Sequence, residues 1–136
     1  MSSNYLFVYG LLRKDANHQM STFLSSGAQF ISKAYFQGQL YLIEYYPGVI
    51  ASENNSDMVL GDLYQLNDLS ILAELDRFEG IDGESEAASE YRREMQKVRL
   101  PDGEFTNAWL YLYNWEVKPE NRIHSGDFLE YRKSVK

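Results

Sequence analysis

The sequence predicts a single α+β domain with a strand-rich core. Its 136 residues, of which 44% are hydrophobic, are enough to bury one proper core. Aromatic residues make up 15% of the chain and fall mostly in segments with strand-like patterns, because aromatic side chains favour a pleated, half-buried surface. A few short segments have helical spacing instead. We therefore expect one domain over residues 1–136, with short helices beside the strands.

Composition and charge exclude several classes of protein. The chain has 13 Lys and Arg against 20 Asp and Glu, a net charge of −7, and no segment gathers enough basic residues to bind a nucleic-acid backbone. No run approaches the roughly 20 apolar residues of a membrane-spanning helix, and the first residues lack the pattern of a signal peptide. With no cysteine, disulfides and thiolate chemistry are absent. We expect a cytoplasmic protein that binds neither nucleic acid nor membrane.

The first apolar run, Tyr5-Leu6-Phe7-Val8-Tyr9, predicts a central strand that is buried on both faces. The turn that follows, Gly10-Leu11-Leu12-Arg13, is unusual because surface loops are ordinarily polar. Two interpretations stay open at this point. The leucines close one end of a barrel, or the turn is a backbone cradle whose amides face a ligand, to which glycine permits close approach.

A short helix is predicted next, over residues 18–25. Asn17 is the expected N-cap, since its side chain can accept a hydrogen bond from a free amide of the first turn. Gly27 is expected to close the helix. His18 lies in the first turn, where a lone histidine is usually exposed or capping, and it receives no catalytic role.

The middle of the chain predicts strands. Residues 28–44 form one long or two successive strands, with Gly38 as the expected bulge or bend. Tyr45-Tyr46-Pro47-Gly48 predicts a turn. Residues 49–51 are a brief strand, and residues 58–66 predict a further strand.

The stretch 69–80 predicts a short helix that Asn67 caps and Gly80 closes. At roughly 100° per residue, Glu79 falls in the same sector as the apolar side chains of this helix. Those side chains are Ile71, Leu72, Leu75 and Phe78. Because burying an unpaired charge is costly, Glu79 is either a paired structural acid or a carboxylate held with a raised pKa for proton transfer. Periodicity alone favours the structural role.

The last third predicts a loop, a hairpin and a helix. Residues 81–90 are acidic and are expected to form a solvated loop, or a lid because they follow Glu79. Residues 91–100 and 105–115 predict a hairpin across Pro101-Asp102-Gly103. The aromatic stripe on its second strand predicts core packing, with a tyrosine at its end as a candidate pocket wall. The tail predicts a capped final helix or turn.

Several short motifs occur in one order and spacing. They are Val8-Tyr9-Gly10-Leu11-Leu12-Arg13, Asn17-His18, Tyr46-Pro47-Gly48, Gly61-Asp62-Leu63-Tyr64, Leu75-Asp76-Arg77-Phe78-Glu79-Gly80, Tyr91-Arg92-Arg93 and Trp109-Leu110-Tyr111. From Tyr5 to about Tyr131 this set resembles the γ-glutamylcyclotransferase-like family, which includes γ-glutamylamine cyclotransferases. The resemblance implies a small mixed, largely antiparallel β-barrel with flanking short helices, and a pocket at the end of the first strand.

The resemblance also implies roles for individual residues. The glutamate of the family's Leu-Asp-x-x-Glu-Gly motif is its catalytic acid/base, which here is Glu79. The Tyr-Gly turn binds the glutamyl group through its backbone, which here means Tyr9 to Leu12, and Tyr91 is a further substrate contact. The implied substrate-binding residues are Tyr9, Gly10, Leu11, Leu12 and Tyr91. Leu11 departs from the pattern, because the family usually has Ser or Thr there. If that hydroxyl holds the substrate, its loss costs roughly 1.5–3 kcal/mol.

The implied reaction closes a ring within a small-molecule γ-glutamyl substrate. The α-amine attacks the γ-carbonyl, which forms 5-oxoproline and expels an amine. Because the substrate brings its own nucleophile, the protein needs no metal, cofactor, cysteine or activated serine. One carboxylate, Glu79, can act first as base and then as acid. Backbone amides from Gly10 to Leu12 are the expected donors to the oxyanion.

The residues leave open the roles of two arginines and two alternative functions. Arg13 and Arg92 either attract the substrate's carboxylate or form exposed salt bridges. The chain is alternatively a non-catalytic small-ligand or partner-binding barrel of the same fold, which Leu11 and Leu12 would favour by blocking the pocket. A third hypothesis is that the protein is an enzyme acting on a different amide. The residues specify neither the leaving amine nor an oligomeric state.

Overall fold

The computed structural model describes residues 4–79 and 89–134. The strands are β1 (Tyr5–Val8), β2 (Ala28–Leu42), β3 (Pro47–Ala51), β4 (Met58–Leu66), β5 (Tyr91–Arg99) and β6 (Phe105–Tyr113). The helices are α1 (Gln19–Gly27), α2 (Ile71–Phe78) and α3 (Phe128–Ser134), with one 3₁₀ turn at Pro119–Asn121. The loop or lid predicted for residues 81–90 lies outside the described residues as far as position 88.

Five strands close into a barrel. Hydrogen-bonded neighbours follow the order β3-β2-β4-β1-β6-β5. β2 also pairs with β5 through Tyr35 and Arg99, which closes β2, β4, β1, β6 and β5 into a ring. β3 pairs only with β2 within the described strands. The β1 and β6 pairing is parallel, at Leu6 and Trp109, whereas the other pairings are antiparallel. The predicted small mixed, largely antiparallel barrel with flanking helices is confirmed.

β1 is the central strand that the sequence predicts, since it lies between β4 and β6. Its successive side chains enter two different hydrophobic clusters, as the alternation of a strand requires. Phe7 is fully buried in the cluster that also contains Phe128 of α3. Leu6 is fully buried in the cluster that contains Leu24 of α1 and Leu75 of α2. Within the described part of the chain, no helix has the length and apolarity to span a bilayer.

The N-terminus of α1 differs from the prediction. His18 is its N-cap, with Nδ1 accepting a hydrogen bond from the Met20 amide at 3.1 Å and the His18 amide donating to Ser21 Oγ at 3.3 Å. Asn17 has a φ of 55°, a left-handed conformation that asparagine tolerates better than most residues. The predicted Asn17 cap is therefore wrong, while Gly27 ends the helix as predicted.

β2 is one strand that changes partner along its length. Its first part pairs with β4, and from Gly38 onward it pairs with β3. The register shift lies between Phe30 and Ser32, so the bulge of the predicted bulge or bend at Gly38 is wrong, and Gly38 is the residue at which β2 changes partner. Gly38 instead permits close packing, because a Cβ there would lie 2.6 Å from the Ile50 carbonyl oxygen. β3 begins at Pro47, so the second half of the predicted turn belongs to a strand.

The C-terminal hairpin and helix follow the prediction closely. β5 and β6 pair in register from Tyr91 and Tyr113 to Arg99 and Phe105. Gly103 has a φ of 90° in the connecting turn, which only glycine adopts readily. The final helix, α3, places Phe128 and Leu129 in the core. Tyr91 of β5 and Tyr111 of β6 also line a cavity.

Candidate active site

A cavity of about 260 Å³ lies at the end of β1. Four segments form its walls: β1 and the turn after it, the segment before β3, the C-terminal end of α2, and the hairpin. The lining residues are Phe7, Val8, Tyr9, Gly10, Leu11, Leu12, Tyr45, Tyr46, Pro47, Phe78, Glu79, Glu90, Tyr91 and Tyr111. This list includes every residue that the family resemblance assigned to catalysis or substrate binding: Glu79, Tyr9, Gly10, Leu11, Leu12 and Tyr91. The fold therefore brings together residues that are as far as 82 positions apart, from Tyr9 to Tyr91.

The turn after β1 presents its backbone beside the cavity. The Arg13 amide donates to the Gly10 carbonyl at 3.0 Å. Among the described residues, no group accepts a hydrogen bond from the amide of Leu11 or Leu12, so two donors remain available there. Gly10 has no room for a side chain, because a Cβ would lie 2.7 Å from Pro47 Cγ.

The two leucines of this turn leave the cavity open. Leu12 is buried, with 3% of its surface exposed, and packs in the cluster that contains Leu6. Leu11 is half-buried and packs against the cluster that contains Phe7. Both side chains are engaged by the core, and about 260 Å³ of space remains beside them. The apolar turn does not block the pocket.

Arg13 anchors the turn and is not among the residues that line the cavity. Its side chain is almost completely buried, and its Nη1 donates to Asp127 Oδ1 at 2.8 Å while its Nε lies 3.8 Å from Asp62 Oδ2. The same Asp62 oxygen accepts from the Lys14 amide at 2.8 Å. Arg13 is therefore neither a substrate-binding residue nor an exposed salt bridge, and both predictions for it are wrong. Through Asp62 of β4 and Asp127 at the start of α3, Arg13 holds the turn after β1 in place.

Arg92 also lies outside the cavity lining. Its guanidinium donates to Glu94 and to Asn114 Oδ1, the latter at 3.0 Å. The Arg92 side chain is 35% exposed. Of its two predicted roles, the structure places it in a partly exposed salt bridge.

α2 is shorter at its start than predicted. It begins at Ile71 with Ser70 as N-cap, and the Ser70 side chain makes no capping hydrogen bond. Asp68 Oδ1 accepts from the Ser70 amide at 2.9 Å, so the predicted Asn67 cap is wrong. An aspartate two residues before the cap has formed a local turn that competes with the expected arrangement.

The C-terminal end of α2 carries Glu79 into the cavity wall. Glu79 is the C-cap, and its amide donates to the Leu75 carbonyl at 2.9 Å. Leu72 and Leu75, which belong to α2, have buried side chains. Phe78 packs its ring against His18 at 5.7 Å between centroids. Glu79 is half-buried and lines the cavity, so it shares the inward-facing side of the helix as its periodicity indicates.

Asp76 holds this end of α2 against the hairpin. The Arg93 guanidinium binds both Asp76 oxygens, at 2.8 and 3.1 Å, and the Tyr111 hydroxyl donates to Asp76 Oδ1 at 2.7 Å. This network gives a physical reason for the Leu-Asp-x-x-Glu spacing. Leu75 fixes the helix to the core, Asp76 fixes it to β5 and β6, and Glu79 follows within one turn at the cavity.

Burial raises the pKa of the Glu79 carboxyl to about 8, and the negative charges of Glu90 and Asp76 contribute further. Among the described residues, no group donates a hydrogen bond to this carboxylate, and none of those that line the cavity is a Lys or Arg. The position of Glu79 at the C-terminus of α2 also raises its pKa, because the negative end of the helix dipole disfavours a carboxylate there. Glu79 is thus a carboxyl group that exchanges its proton near neutral pH.

The hydroxyls of Tyr9 and Tyr91 form hydrogen bonds between the walls of the cavity. The Tyr9 hydroxyl donates to the Tyr111 carbonyl at 2.6 Å, and the Tyr91 hydroxyl donates to the Pro47 carbonyl at 2.7 Å. Burial raises the pKa of both phenols, so both stay protonated. What Tyr9 and Tyr91 offer a ligand is therefore ring surface and backbone.

Sequence patterns missed part of the lining. Glu90 is predicted as a loop residue, yet it faces the cavity and accepts a hydrogen bond from the Tyr46 hydroxyl at 2.8 Å. Tyr111 belongs to the aromatic stripe predicted as core, and it is both buried and part of the wall. The signal for Glu90 was its position directly before Tyr91, which itself begins a strand.

The raised pKa of Glu79 predicts a pH-dependent stability. Its folded pKa of about 8 lies above its ordinary value of 4.5, so the folded state binds more protons and the free energy of unfolding falls as the pH rises through that window. The Glu79→Gln variant has no carboxyl group at this position, so its free energy of unfolding does not fall in this way. We expect the variant to gain about 1–3 kcal/mol relative to the wild-type protein between about pH 5 and about pH 8.5, measured by urea unfolding. A difference that is constant with pH would contradict the assignment.

Sequence comparison identifies relatives over nearly the whole chain. The family model described as gamma-glutamyl cyclotransferase, AIG2-like matches residues 6–130. The gamma-glutamylcyclotransferase family protein YtfP of Escherichia coli K12 is 33% identical over 126 residues, which are 92% of this chain and 96% of that protein. Its counterpart in Citrobacter rodentium is 34% identical over 127 residues, or 92% and 95% of the two chains.

Solved structures share the fold. An uncharacterized protein of Pyrococcus horikoshii matches with a TM-score of 0.67 at 26% identity, covering 97% of this chain and 95% of that one. An AIG2-like protein of Mus musculus matches with a TM-score of 0.68 at 22% identity, covering 94% and 89%, and supports the fold alone. Together with the sequence matches, these findings establish that the chain belongs to the gamma-glutamyl cyclotransferase, AIG2-like family.

Proposed function

We propose that this protein is a γ-glutamyl cyclotransferase that converts a γ-glutamyl amide into 5-oxoproline and a free amine, with Glu79 as general acid/base. The observation that carries the proposal is a half-buried carboxylate with a raised pKa in the wall of an open cavity. The names of the sequence relatives support the same reaction class. Tyr9, Gly10, Leu11, Leu12 and Tyr91 form the proposed substrate site.

The first step prepares the nucleophile. The α-nitrogen of a γ-glutamyl amide is an ammonium at neutral pH and must lose a proton before it can attack. Ionised Glu79 accepts that proton, and a pKa near 8 matches it to this exchange better than an ordinary glutamate. The α-nitrogen then attacks the γ-carbon of the same molecule. Holding the substrate in a ring-closing geometry supplies much of the rate, because the attack is intramolecular.

The second step expels the amine. As the ring closes, negative charge develops on the γ-oxygen, and the available Leu11 and Leu12 amides are the proposed donors to it. Protonated Glu79 then gives a proton to the leaving nitrogen, and the bond between that nitrogen and the γ-carbon breaks. The α-nitrogen releases its second proton to solvent as the lactam forms, and the free amine takes up its second proton from solvent to become an ammonium, so the two protons lost balance the two gained. No water is consumed.

A binding barrel without catalysis is the second candidate. The observation that favours it is Leu11, which stands where the family usually has a hydroxyl residue. In the proposed mechanism the cradle acts through its backbone, so a leucine side chain is tolerated provided that it leaves the cavity open. The packing of Leu11 against the core meets that condition.

A substrate panel distinguishes the two candidates. The purified protein is incubated with glutathione, γ-glutamyl dipeptides and γ-glutamyl-ε-lysine, and 5-oxoproline is measured by mass spectrometry. We expect 5-oxoproline from at least one member of the panel. Absence of product from all of them, with binding retained, would favour the non-catalytic barrel. Glutamate in place of 5-oxoproline would indicate hydrolysis of the amide instead.

A further inference from the structure

We propose that the cavity selects γ-glutamyl amides whose leaving amine carries a positive charge, and that Glu90 is the specificity-determining residue. The inference rests on the proposed function and names the substrate class of the same site. Every γ-glutamyl amide has one α-ammonium and one α-carboxylate, so its net charge is set by the leaving amine.

The cavity is acidic. Glu79 and Glu90 both line it, and none of the described lining residues is a Lys or Arg. The arginines of the neighbouring strands are paired elsewhere, Arg93 with Asp76 and Arg92 with Glu94. Since Glu79 is assigned to the reacting nitrogens, Glu90 is the carboxylate left over. Its carboxylate is therefore the group that can contact the part of the leaving amine beyond the γ-amide.

Glu90 is held in place by its surroundings. The Tyr46 hydroxyl donates to its Oε2 at 2.8 Å. Its backbone is fixed as well, because the Glu90 carbonyl accepts from the Asn114 amide at 2.8 Å. Tyr46 uses one lone pair of the carboxylate, which leaves acceptor capacity for a ligand ammonium. A positioned carboxylate loses less side-chain entropy on binding than a free surface glutamate.

Aromatic rings complete a surface suited to a cation. Tyr45 and Tyr46 lie edge to face at 5.0 Å between centroids, and Tyr46 lies 6.4 Å from Tyr91. All three line the cavity, and Tyr45 is 71% exposed, which places it where the cavity meets solvent. Ring faces attract cations through their quadrupole, and a carboxylate beside them adds to that attraction. An anionic leaving group would meet Glu90 without a compensating positive charge.

Three amides of matched size test the proposal. Their leaving amines are 1,4-diaminobutane, n-pentylamine and 4-aminobutanoate, which end in an ammonium, a methyl and a carboxylate. The measured quantity is kcat/KM for 5-oxoproline release. We expect the cationic amide to exceed the neutral one by about tenfold or more, with the anionic amide lowest. Raising the salt from about 0.05 to about 0.5 M should reduce this preference in the wild-type protein.

Glu90→Gln keeps an acceptor for the Tyr46 hydroxyl and removes the charge. We expect the ratio of kcat/KM between the cationic and neutral amides to fall by about tenfold in this variant. Glu116→Gln is the matched control, because Glu116 is exposed and lies outside the cavity lining, and it should keep the wild-type ratio. An unchanged ratio in Glu90→Gln, or a wild-type preference for the anionic amide, would overturn the proposal.

A binding measurement distinguishes failure of this proposal from failure of the proposed function. Calorimetric titration of the three intact amides into the Glu79→Gln variant measures affinity without turnover. Tighter binding of the cationic amide supports the charge selection even if the wild-type protein releases no 5-oxoproline, in which case the catalytic proposal alone fails. Release of 5-oxoproline from all three amides at equal efficiency supports catalysis and refutes the selection by Glu90.

Discussion

Glu79→Gln is expected to lower kcat/KM for 5-oxoproline release by at least about 10³-fold. Glutamine keeps the shape of the side chain, but its amide neither accepts the proton of the α-ammonium nor returns one to the leaving nitrogen. Because Glu79 receives no hydrogen bond from any described residue, the substitution leaves no partner unsatisfied, and the fold should persist. Kinetics with a γ-glutamyl amide that the wild-type protein turns over measure the effect.

The control for this variant is Glu116→Gln, which removes an equal charge from an exposed position outside the cavity lining. It should retain the wild-type rate. A Glu79→Gln variant that works within about tenfold of the wild-type protein would show that the carboxylate is not the acid/base. Thermal unfolding of both variants checks that loss of activity does not arise from loss of structure.

The pH profile gives an independent signature of the same residue. The base must be ionised in the free enzyme, and kcat/KM reports the pKa of that form. We therefore expect kcat/KM of the wild-type protein to rise with pH up to about 8, whereas the residual rate of Glu79→Gln should lack this limb. A wild-type profile that is flat from about pH 5 to about pH 9 would exclude a carboxyl with this pKa as the base.

Arg13→Met is expected to reduce the free energy of unfolding by about 3–5 kcal/mol. Methionine fills much of the same volume, but it leaves Asp62 buried without its opposite charge, and Asp62 is only 3% exposed. Urea unfolding followed by tryptophan fluorescence measures the loss. Adding Asp62→Asn to Arg13→Met removes the stranded charge while retaining an acceptor for the Lys14 amide, so part of the stability should return.

The exposed pair formed by Arg77 and Glu74 provides the comparison. These side chains are 64% and 54% exposed, and an exposed ion pair on a helix stabilises by less than about 1 kcal/mol. Arg77→Met should therefore have a small effect in the same assay. If Arg13→Met cost no more than Arg77→Met, Arg13 would not anchor the turn after β1.

Local patterns were sufficient for the barrel strands. β1, β4 and the C-terminal hairpin were predictable because apolar runs, alternation and a Pro-Asp-Gly turn all act over a few residues. The place of Glu79 on the inward side of α2 followed from helical periodicity in the same way. Closure of the barrel by β2 and β5 did not follow from any local pattern, because the paired residues Tyr35 and Arg99 are 64 positions apart in the sequence.

Long-range partners account for the parts that the sequence did not predict. Arg13 follows the cradle, yet its hydrogen-bond partner Asp127 is 114 positions away, so nothing near Arg13 showed that it would be buried. Glu90 stands in an acidic, small-residue stretch, and the Tyr46 hydroxyl that binds its carboxylate lies 44 positions earlier, so the charge pattern of that stretch did not show that Glu90 would line the cavity. The predicted N-cap of α1 was wrong for a different reason. Asn17 and His18 both carry a capping acceptor, and backbone geometry chose between them.

The most direct test of the central claim is the identity of the product formed in water enriched in ¹⁸O. One γ-glutamyl amide is incubated with the wild-type protein and, in parallel, with Glu79→Gln, and 5-oxoproline and glutamate are measured by mass spectrometry. Ring closure predicts 5-oxoproline without ¹⁸O, in amounts equal to the released amine, from the wild-type protein and almost none from Glu79→Gln. Glutamate carrying ¹⁸O, or equal 5-oxoproline from both proteins, would contradict intramolecular catalysis through Glu79.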